Sequence, residues 1–313
     1  MKYIAVFSLL VLSFLSACNS CSSKSDSQNQ TTNQAELSKH QKIVYQPILV
    51  SDSLSAKVNE QSGLVYYQDL FWVNNDSDCE AKLYAYNRKG QLKQEVAITN
   101  AVNIDWEEVT DDSLYLYVGD FGNNLGERKD LRVLCVKKED IKKEAFTEVK
   151  ADFISIEWAD QKDFGLGWKN HNFDCEAFFA YGDSLYFFTK NWVDLKTRMY
   201  VSPKIPGHYK LHVKAEFNVD FMVTGADISS DGKIMALVGY KNYLTYSVLF
   251  SDYKGTDFFE GKATRIDLSP LGGAQTEGIV FAENDSLYLS SEETRQAQSL
   301  YKMEWRQWFP NTK

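Results

Sequence analysis

One phrase recurs five times between residues 60 and 290 of this chain, and no other feature restricts its fold as tightly. A short strand carrying an acidic or small polar residue comes first, then a tight polar turn, then an aromatic-rich strand. The copies run over 60–65 and 70–73, 105–109 and 114–118, 174–178 and 185–188, 224–228 and 234–238, and 275–279 and 287–289. Asp111-Asp112, Gly182-Asp183, Ser230-Asp231-Gly232 and Asn284-Asp285 supply the turns, which are hairpin signals. Measured from Ser62, Glu107, Glu176, Ala226 and Glu277, the spacings are 45, 69, 50 and 51 residues. A period near 40–50 with several strands per unit is the mark of a propeller.

Each unit offers further strands. Third strands are expected over 83–86, 131–136, 199–201, 246–250 and 300–303, and fourth strands over 94–98, 153–158, 211–217 and 263–268. The fifth unit runs out of chain after Trp305, while residues 43–49 form a spare strand upstream. Pairing the two joins both ends of the domain in one blade and closes the ring. Pro47 suits that outer edge, where a missing N–H costs least. The expected fold is therefore all-β, a five-bladed β-propeller with four antiparallel strands per blade. A sixth blade would need about 40 more residues. A twisted sandwich with accidental repetition is the other alternative. Residues 162–172 read as a polar, Gly-containing insertion, and no helix longer than 137–145 is expected.

The N-terminus reads as a targeting signal. Lys2 precedes a mostly apolar run over 4–15, too short for the roughly 20 residues of a membrane span. It ends in Leu15-Ser16-Ala17-Cys18, which resembles a bacterial lipobox. That resemblance implies a signal peptide over 1–17 and acylation of Cys18, with palmitate a usual chain. The protein would then sit in the cell envelope, lipid-anchored to a bacterial membrane, expected to be the outer one. Residues 18–40 are rich in Ser, Asn, Gln and Thr and read as a polar tether spanning about 25–30 Å as coil. The propeller domain occupies 41–313. Five cysteines, one of them Cys18, form no disulfide framework, although Cys79 and Cys175 leave one bridge open.

The formal charge of −9 with no offsetting basic patch argues against a nucleic-acid polymer as partner. It suits cations. In a propeller the first strand of every blade lines the central channel, so residues at one phase converge. Here that phase reads Ser62, Glu107, Glu176, Ala226 and Glu277. Three carboxylates facing one channel repel unless something neutralises them. A hard cation with oxygen ligands, Ca²⁺ or Mg²⁺, does so; channel water and backbone capping are the alternative. The ends of the second strands form the channel mouth, with Asn75 and Asp76, Asp120, Lys190, Tyr240, and Glu292 with Glu293. Arg128 and Arg295 lie a few residues beyond. Such a mouth can hold a small-molecule or protein ligand, with Lys190, Arg128, Tyr240 and Glu292 as binding residues. Turn formation alone also accounts for its Asp and Asn residues.

Several of these phrases resemble the soluble calcium-activated nucleotidase (apyrase) family. They are Ser62-Gly63-Leu64-Val65 with Asp76, Trp106-Glu107 with Tyr117-Val118-Gly119, Glu176 in its strand, and Glu277-Gly278-Ile279. The resemblance implies a five-bladed propeller with Ca²⁺ in the channel, Ser62, Glu107, Glu176 and Glu277 as its ligands, and hydrolysis of nucleoside di- and triphosphates. Asp76 or Asp120 would then orient the water. Phytase-like esterase and SdiA-regulated propellers carry phrases of the same type. The chain departs from the nucleotidase pattern at Gly119-Asp120-Phe121-Gly122-Asn123-Asn124, at Ala226, where Thr224 or Asp227 could substitute, and in lacking the family's basic insertion. The expectation is a lipid-anchored ligand-binding propeller with a channel cation, and the alternative a Ca²⁺-dependent hydrolase of phosphate esters or anhydrides.

Overall fold

Strand and hairpin signals set five small, mainly antiparallel sheets in a ring. The computed structural model describes residues 43–309, so the signal peptide, Cys18 and the tether lie outside the described residues. Blade 1 comprises Val65–Tyr67, Leu70–Asn74, Lys82–Tyr86 and Leu92–Ile98. Blade 2 comprises Trp106–Asp111, Tyr115–Asp120, Arg132–Lys137 and Ala151–Trp158; blade 3, Asp174–Tyr181, Ser184–Lys190, Thr197–Pro203 and Ala215–Phe217. Blade 4 comprises Met222–Ile228, Met235–Lys241, Leu244–Ser251 and Lys262–Asp267, and blade 5, Thr276–Phe281, Leu287–Ser291, Ser299–Met303 and Ile48–Ser51. The five-bladed propeller expected from the repeat is the fold. Each innermost strand lies against those of both neighbours, so the ring is closed.

Period-2 alternation explains how the ring holds together. Successive side chains of a strand point to opposite faces, so every blade feeds two seams. Trp72 joins Trp106, Val109 and Val118 between blades 1 and 2, while Phe71 and Val73 join Val280 and Tyr288 between blades 5 and 1. Phe178 and Phe187 meet Phe121 between blades 2 and 3, and Phe179 and Phe188 pack with Leu237 and Val248 between blades 3 and 4. Val238 and Leu249 meet Ile279 and Leu289 in the seam between blades 4 and 5. The core is thus five radial seams around a narrow channel.

The closing strand forms, but not as one piece. Ile48–Ser51 pairs antiparallel with Ser299–Met303 and completes blade 5, whereas Ile43–Val44 pairs in parallel with the outer strand of blade 4. The ladder breaks at Gln46 and Pro47, and Pro47 has no N–H to continue it. The same device recurs. Phe146–Val149, just before the outer strand of blade 2, pairs in parallel with Leu92–Ile98 of blade 1. Gly207–Leu211, just before the outer strand of blade 3, pairs in parallel with Ala151–Trp158 of blade 2. Three blades therefore strap their predecessors. Two expectations change accordingly. The strand expected over 211–217 divides between blades 2 and 3, and the helical stretch over 137–145 reduces to the single 3-10 turn Lys138–Asp140. Cys79, Cys135 and Cys175 are free thiols, so the Cys79–Cys175 bridge does not form.

Candidate functional site

The innermost strands do not run straight into their hairpins. Pairing slips by one residue at Glu107 in blade 2, Glu176 in blade 3, Thr224 in blade 4 and Glu277 in blade 5. In blade 1 the Gln61↔Asn75 bridge and the Val65↔Trp72 pair differ by the same one residue, and the Ser62 N–H donates to Asn74 O at 3.0 Å. A bulge re-aims the side chain it carries, and here it does so at one level of all five blades. Blade 4 contributes Thr224, not Ala226. Ala226 lies two residues further on, buried in the seam with blade 3. The sequence does carry the correct alignment: Thr224-Gly225 matches Ser62-Gly63 and Glu277-Gly278.

Beside this level the carboxylates converge. Asp76, Asp105 and Glu107 offer oxygens that lie within 4.8 Å of one another, and so do Glu107, Asp174 and Glu176. Glu107 belongs to both triads. Its side chain is almost wholly buried. Gly122 makes room for it, because a Cβ there would stand 2.0 Å from Glu107 Oε1 and 2.5 Å from Asp105 Cγ. Asp174 is held from both sides, accepting from the Asn123 N–H at 2.7 Å and from Trp192 Nε1 at 2.8 Å. Glu176 accepts from Lys190 Nζ at 2.6 and 2.5 Å.

Burial and crowding raise these acids. Burial, with Glu176 and Asp76 beside it, pushes Glu107 well up. Burial with Asp76 and Asp174 raises Asp105 to about 7, and burial also raises Asp76, against the pull of Ser77 and Lys190. Burial alone would lower Lys190, but Glu176 together with Tyr240, Glu277 and Asp174 outweighs it and raises the ammonium well above its ordinary value. Glu277 is raised by burial to about 7, with Lys190 and Gln275 opposing. Glu292 is raised by burial and Glu277 to about 10, so at neutral pH it is a neutral acid, accepting from Gln275 Nε2 at 2.6 Å.

A cavity of about 960 Å³ opens over blades 3 to 5. Trp192, Tyr240 and Tyr243 form its aromatic wall, Lys169 and Arg295 its cationic side, and Gln275 part of its floor. Lys169 stands 4.2 Å from the centre of the Trp192 ring, and Lys190 lies 4.8 Å from the same ring and 5.1 Å from that of Tyr240. Of the residues expected at the mouth, Asp76, Lys190, Tyr240 and Glu292 belong to this region. Asp120 and Arg128 face each other instead. Asp120 is fully buried, with one oxygen on Arg128 Nη2 and the other on Arg132 Nε, both at 2.9 Å, so its carboxylate braces the 121–131 loop. Ser62 is buried at the bulge level.

Asp105, Asp174, Lys169 and Trp192 were not singled out in the sequence. Both Asp residues precede a bulged Glu by two positions, as Asp105-Trp106-Glu107 and Asp174-Cys175-Glu176, and that repeated spacing was available as a signal. Lys169 comes from the 162–172 insertion, whose place over the mouth depends on tertiary packing through its N–H to Asn124 O at 2.8 Å.

No protein-family model and no curated protein match the chain. Solved structures do. A glutaminyl cyclase from Myxococcus xanthus aligns over 84% of this chain and 97% of its own, with TM-score 0.51 and 10% identity. A glucose dehydrogenase aligns over 80% and 98% at TM-score 0.48 and 8% identity, and a mannose phosphorylase from Leishmania mexicana over 90% and 95% at 0.46 and 11%. At such identities the likeness is one of fold.

Proposed function

We propose that this protein is a lipid-anchored propeller of the bacterial cell envelope that holds a divalent cation at its channel mouth and binds an anionic small molecule beside it. The observation that carries the reading is the pair of carboxylate triads sharing Glu107. Ca²⁺ takes oxygen ligands at about 2.3–2.6 Å, so oxygens on opposite sides of one ion stand roughly 5 Å apart, compatible with each triad. Asp76, Asp105, Glu107, Asp174 and Glu176 would supply the oxygens, in place of the set Ser62, Glu107, Glu176 and Glu277 that the nucleotidase resemblance implies. The crowding of Glu107 by Glu176, Asp76 and Asp105 supports a cation over water, since a bound cation offsets the repulsion among these acids. In the adjoining cavity, Lys169 and Arg295 suit an anionic group and the Trp192 and Tyr240 rings suit a flat or sugar-like body. The lipobox string supports the anchor.

The second reading, Ca²⁺-dependent hydrolysis of phosphate esters or anhydrides, rests on the cationic cavity wall next to the acids. A cation there would polarise a phosphoryl oxygen. Lys169 and Arg295 would orient the phosphate, and Asp76 would take the proton from water, while Asp120 is spent on its arginines. Calorimetric titration of chelator-stripped protein with Ca²⁺ and with Mg²⁺ tests the common core of both readings. Uptake that is lost in Glu107→Gln is expected; no uptake of either ion defeats both. Uptake without phosphate release from nucleotides or simple esters leaves the binding module.

A further inference from the structure

Lys169 comes from the insertion over 162–172, yet its backbone and its side chain are both held. Its φ of 54° lies in the left-handed region, which a residue with a Cβ keeps only where its surroundings impose it. Its N–H donates to Asn124 O at 2.8 Å, and the same carbonyl accepts from His171 Nε2 at 3.1 Å. Nε2 carries the imidazole proton because Nδ1 accepts from the Phe173 N–H, also at 3.1 Å. The Lys169 ammonium stands over two indole rings, 4.7 Å from the centre of Trp168 and 4.2 Å from that of Trp192. An aromatic face holds a cation without cancelling its charge. Among the described residues Lys169 forms no ion pair, so that charge stays on offer to the cavity it lines.

Two routes lead from Lys169 back to Asp174. Trp192 Nε1 donates to Asp174 Oδ2 at 2.8 Å. Asn123, the chain neighbour of Asn124, donates its N–H to Asp174 Oδ1 at 2.7 Å. The contacts close a circuit from Asp174 through Trp192, Lys169, Asn124 and Asn123 to Asp174 again. Val193, next to Trp192, also donates its N–H to Asn172 Oδ1 at 3.0 Å, which ties that connection to the end of the insertion. Asp174 itself is fully buried, opens the inner strand of blade 3, and shares a triad with Glu107 and Glu176. One carboxylate therefore belongs to the acid cluster and, through one indole, holds the lysine of the cavity wall.

We propose, on the basis of the cation site described above, that Trp192 is a positioning residue coupling the two halves of the mouth: a cation bound at Asp174 fixes the indole, and the indole fixes Lys169 for the anionic ligand. Without a cation, Asp174 is crowded by Glu107 and Glu176, and their repulsion works against a single position for its carboxylate. A cation among the three acids removes that repulsion and sets the oxygen on which Trp192 donates. By linkage the effect is mutual, so an anion held at Lys169 tightens cation binding by the same factor. The insertion contains none of the five acids assigned to the cation, so any change a cation makes in it has been transmitted.

Hydrogen exchange of the insertion, with Ca²⁺ alone as the probe, is the test. Chelator-stripped full-length protein is compared with and without saturating Ca²⁺ by mass spectrometry, and calorimetry on the same samples reports uptake. In wild type, Ca²⁺ should slow exchange over 162–172 by about 5-fold or more, the lower end of typical coupling between sites. The exposed loop over 252–257 is the internal reference and should not change. Trp192→Phe keeps a ring for Lys169 but lacks the N–H on Asp174; it should still take up Ca²⁺ and lose most of the slowing. Should that variant fail to fold, Lys169→Gln, which takes the ammonium off the ring, should show the same loss. Uptake of Ca²⁺ with unchanged exchange over 162–172, or equal slowing in wild type and in whichever variant folds, overturns the coupling and leaves the cation site standing. No uptake by wild type overturns the cation site and the coupling together.

Discussion

Lys190 Nζ donates to both carboxylate oxygens of Glu176, at 2.6 and 2.5 Å, and both side chains are buried. The pair sits where Asp174, Glu107 and Glu277 also press in, so the ammonium offsets more than one negative charge. Breaking a buried pair by removing one partner costs about 3–5 kcal/mol, because the remaining charge is left uncompensated. Lys190→Met should therefore lower the stability of cation-free protein by about that amount in denaturant unfolding. Added Ca²⁺ should restore more of the loss than it adds to wild type, since Glu176 is freed to bind it. An equal Ca²⁺ effect in the two proteins would separate the pair from the cation site.

Gly122 tests the cation site without touching a carboxylate. An added methyl group would collide with Glu107 Oε1 and Asp105, both of which are side-chain ends able to swing away. Gly122→Ala should keep the fold and its circular dichroism while weakening Ca²⁺ binding roughly 10-fold or more, the usual effect of disturbing groups around a metal. Affinity by calorimetry is the readout, and unchanged affinity would remove Glu107 from the ligand set.

These two sites show what the sequence could and could not disclose. The blade repeat, the closing strand and the convergence of Glu107, Glu176 and Glu277 follow from period and phase, because a propeller turns equal sequence phase into spatial neighbourhood. Bulges do not follow from period. They set which residue of the inner strand turns to the channel, and in blade 4 that residue is Thr224, two positions before the Ala226 aligned with the acids. The partners of Asp120 were also hidden. Arg128 reads as a mouth residue in the sequence, but the 121–131 loop folds it back onto Asp120, where Arg132 of the following strand donates as well. Lys169 and Trp192 reach the cavity from loops of two different connections, and no local pattern encodes that meeting.

The raised acids fix the sign of the pH dependence. Burial lifts Asp105 and Glu277 to about 7 and Asp227 to about 8, from ordinary values of 3.8, 4.5 and 3.8. Between those ordinary values and the raised ones, the folded protein holds protons that the unfolded chain has lost. Each step up in pH across that window therefore favours unfolding. In chelator, the melting temperature should fall as pH rises from about 4.5, and go on falling until Glu292, raised by burial and Glu277 to about 10, has ionised. Saturating Ca²⁺ should flatten the fall, since a bound cation replaces protons on its ligands. Thermal melts at stepped pH with and without Ca²⁺ measure both; a rising curve in chelator would show that other groups dominate.

The anchor is tested at the thiol. With Cys18 acylated, the full-length protein should partition with membranes and into detergent, and Cys18→Ser should yield soluble or unprocessed protein. A wild type wholly soluble after cell lysis would refute the lipoprotein reading. It would leave the propeller unaffected, because the described domain begins at Ile43.

The ring's closure depends on four residues at that beginning. Ile48–Ser51 supplies the outer strand of blade 5, pairing Ile48 with Lys302 and Leu49 with Tyr301, and Ile43–Val44 straps blade 4 next to it. Without them Ser299–Met303 becomes an exposed sheet edge with unpaired N–H and C=O groups, a template for intermolecular pairing. The seam between blades 5 and 1, where Val50 packs against a cluster that includes Leu54, Tyr84 and Leu300, is weakened as well. A chain beginning at Lys42 should melt in a single cooperative transition, and one beginning at Asp52 should aggregate or lose that cooperativity. The outer strands of blades 1 and 2 already carry parallel straps, so the effect should be confined to blades 4 and 5, and hydrogen exchange should show protection lost there first. Equal melting temperatures for the two chains would mean that the inner and middle strands alone hold the ring.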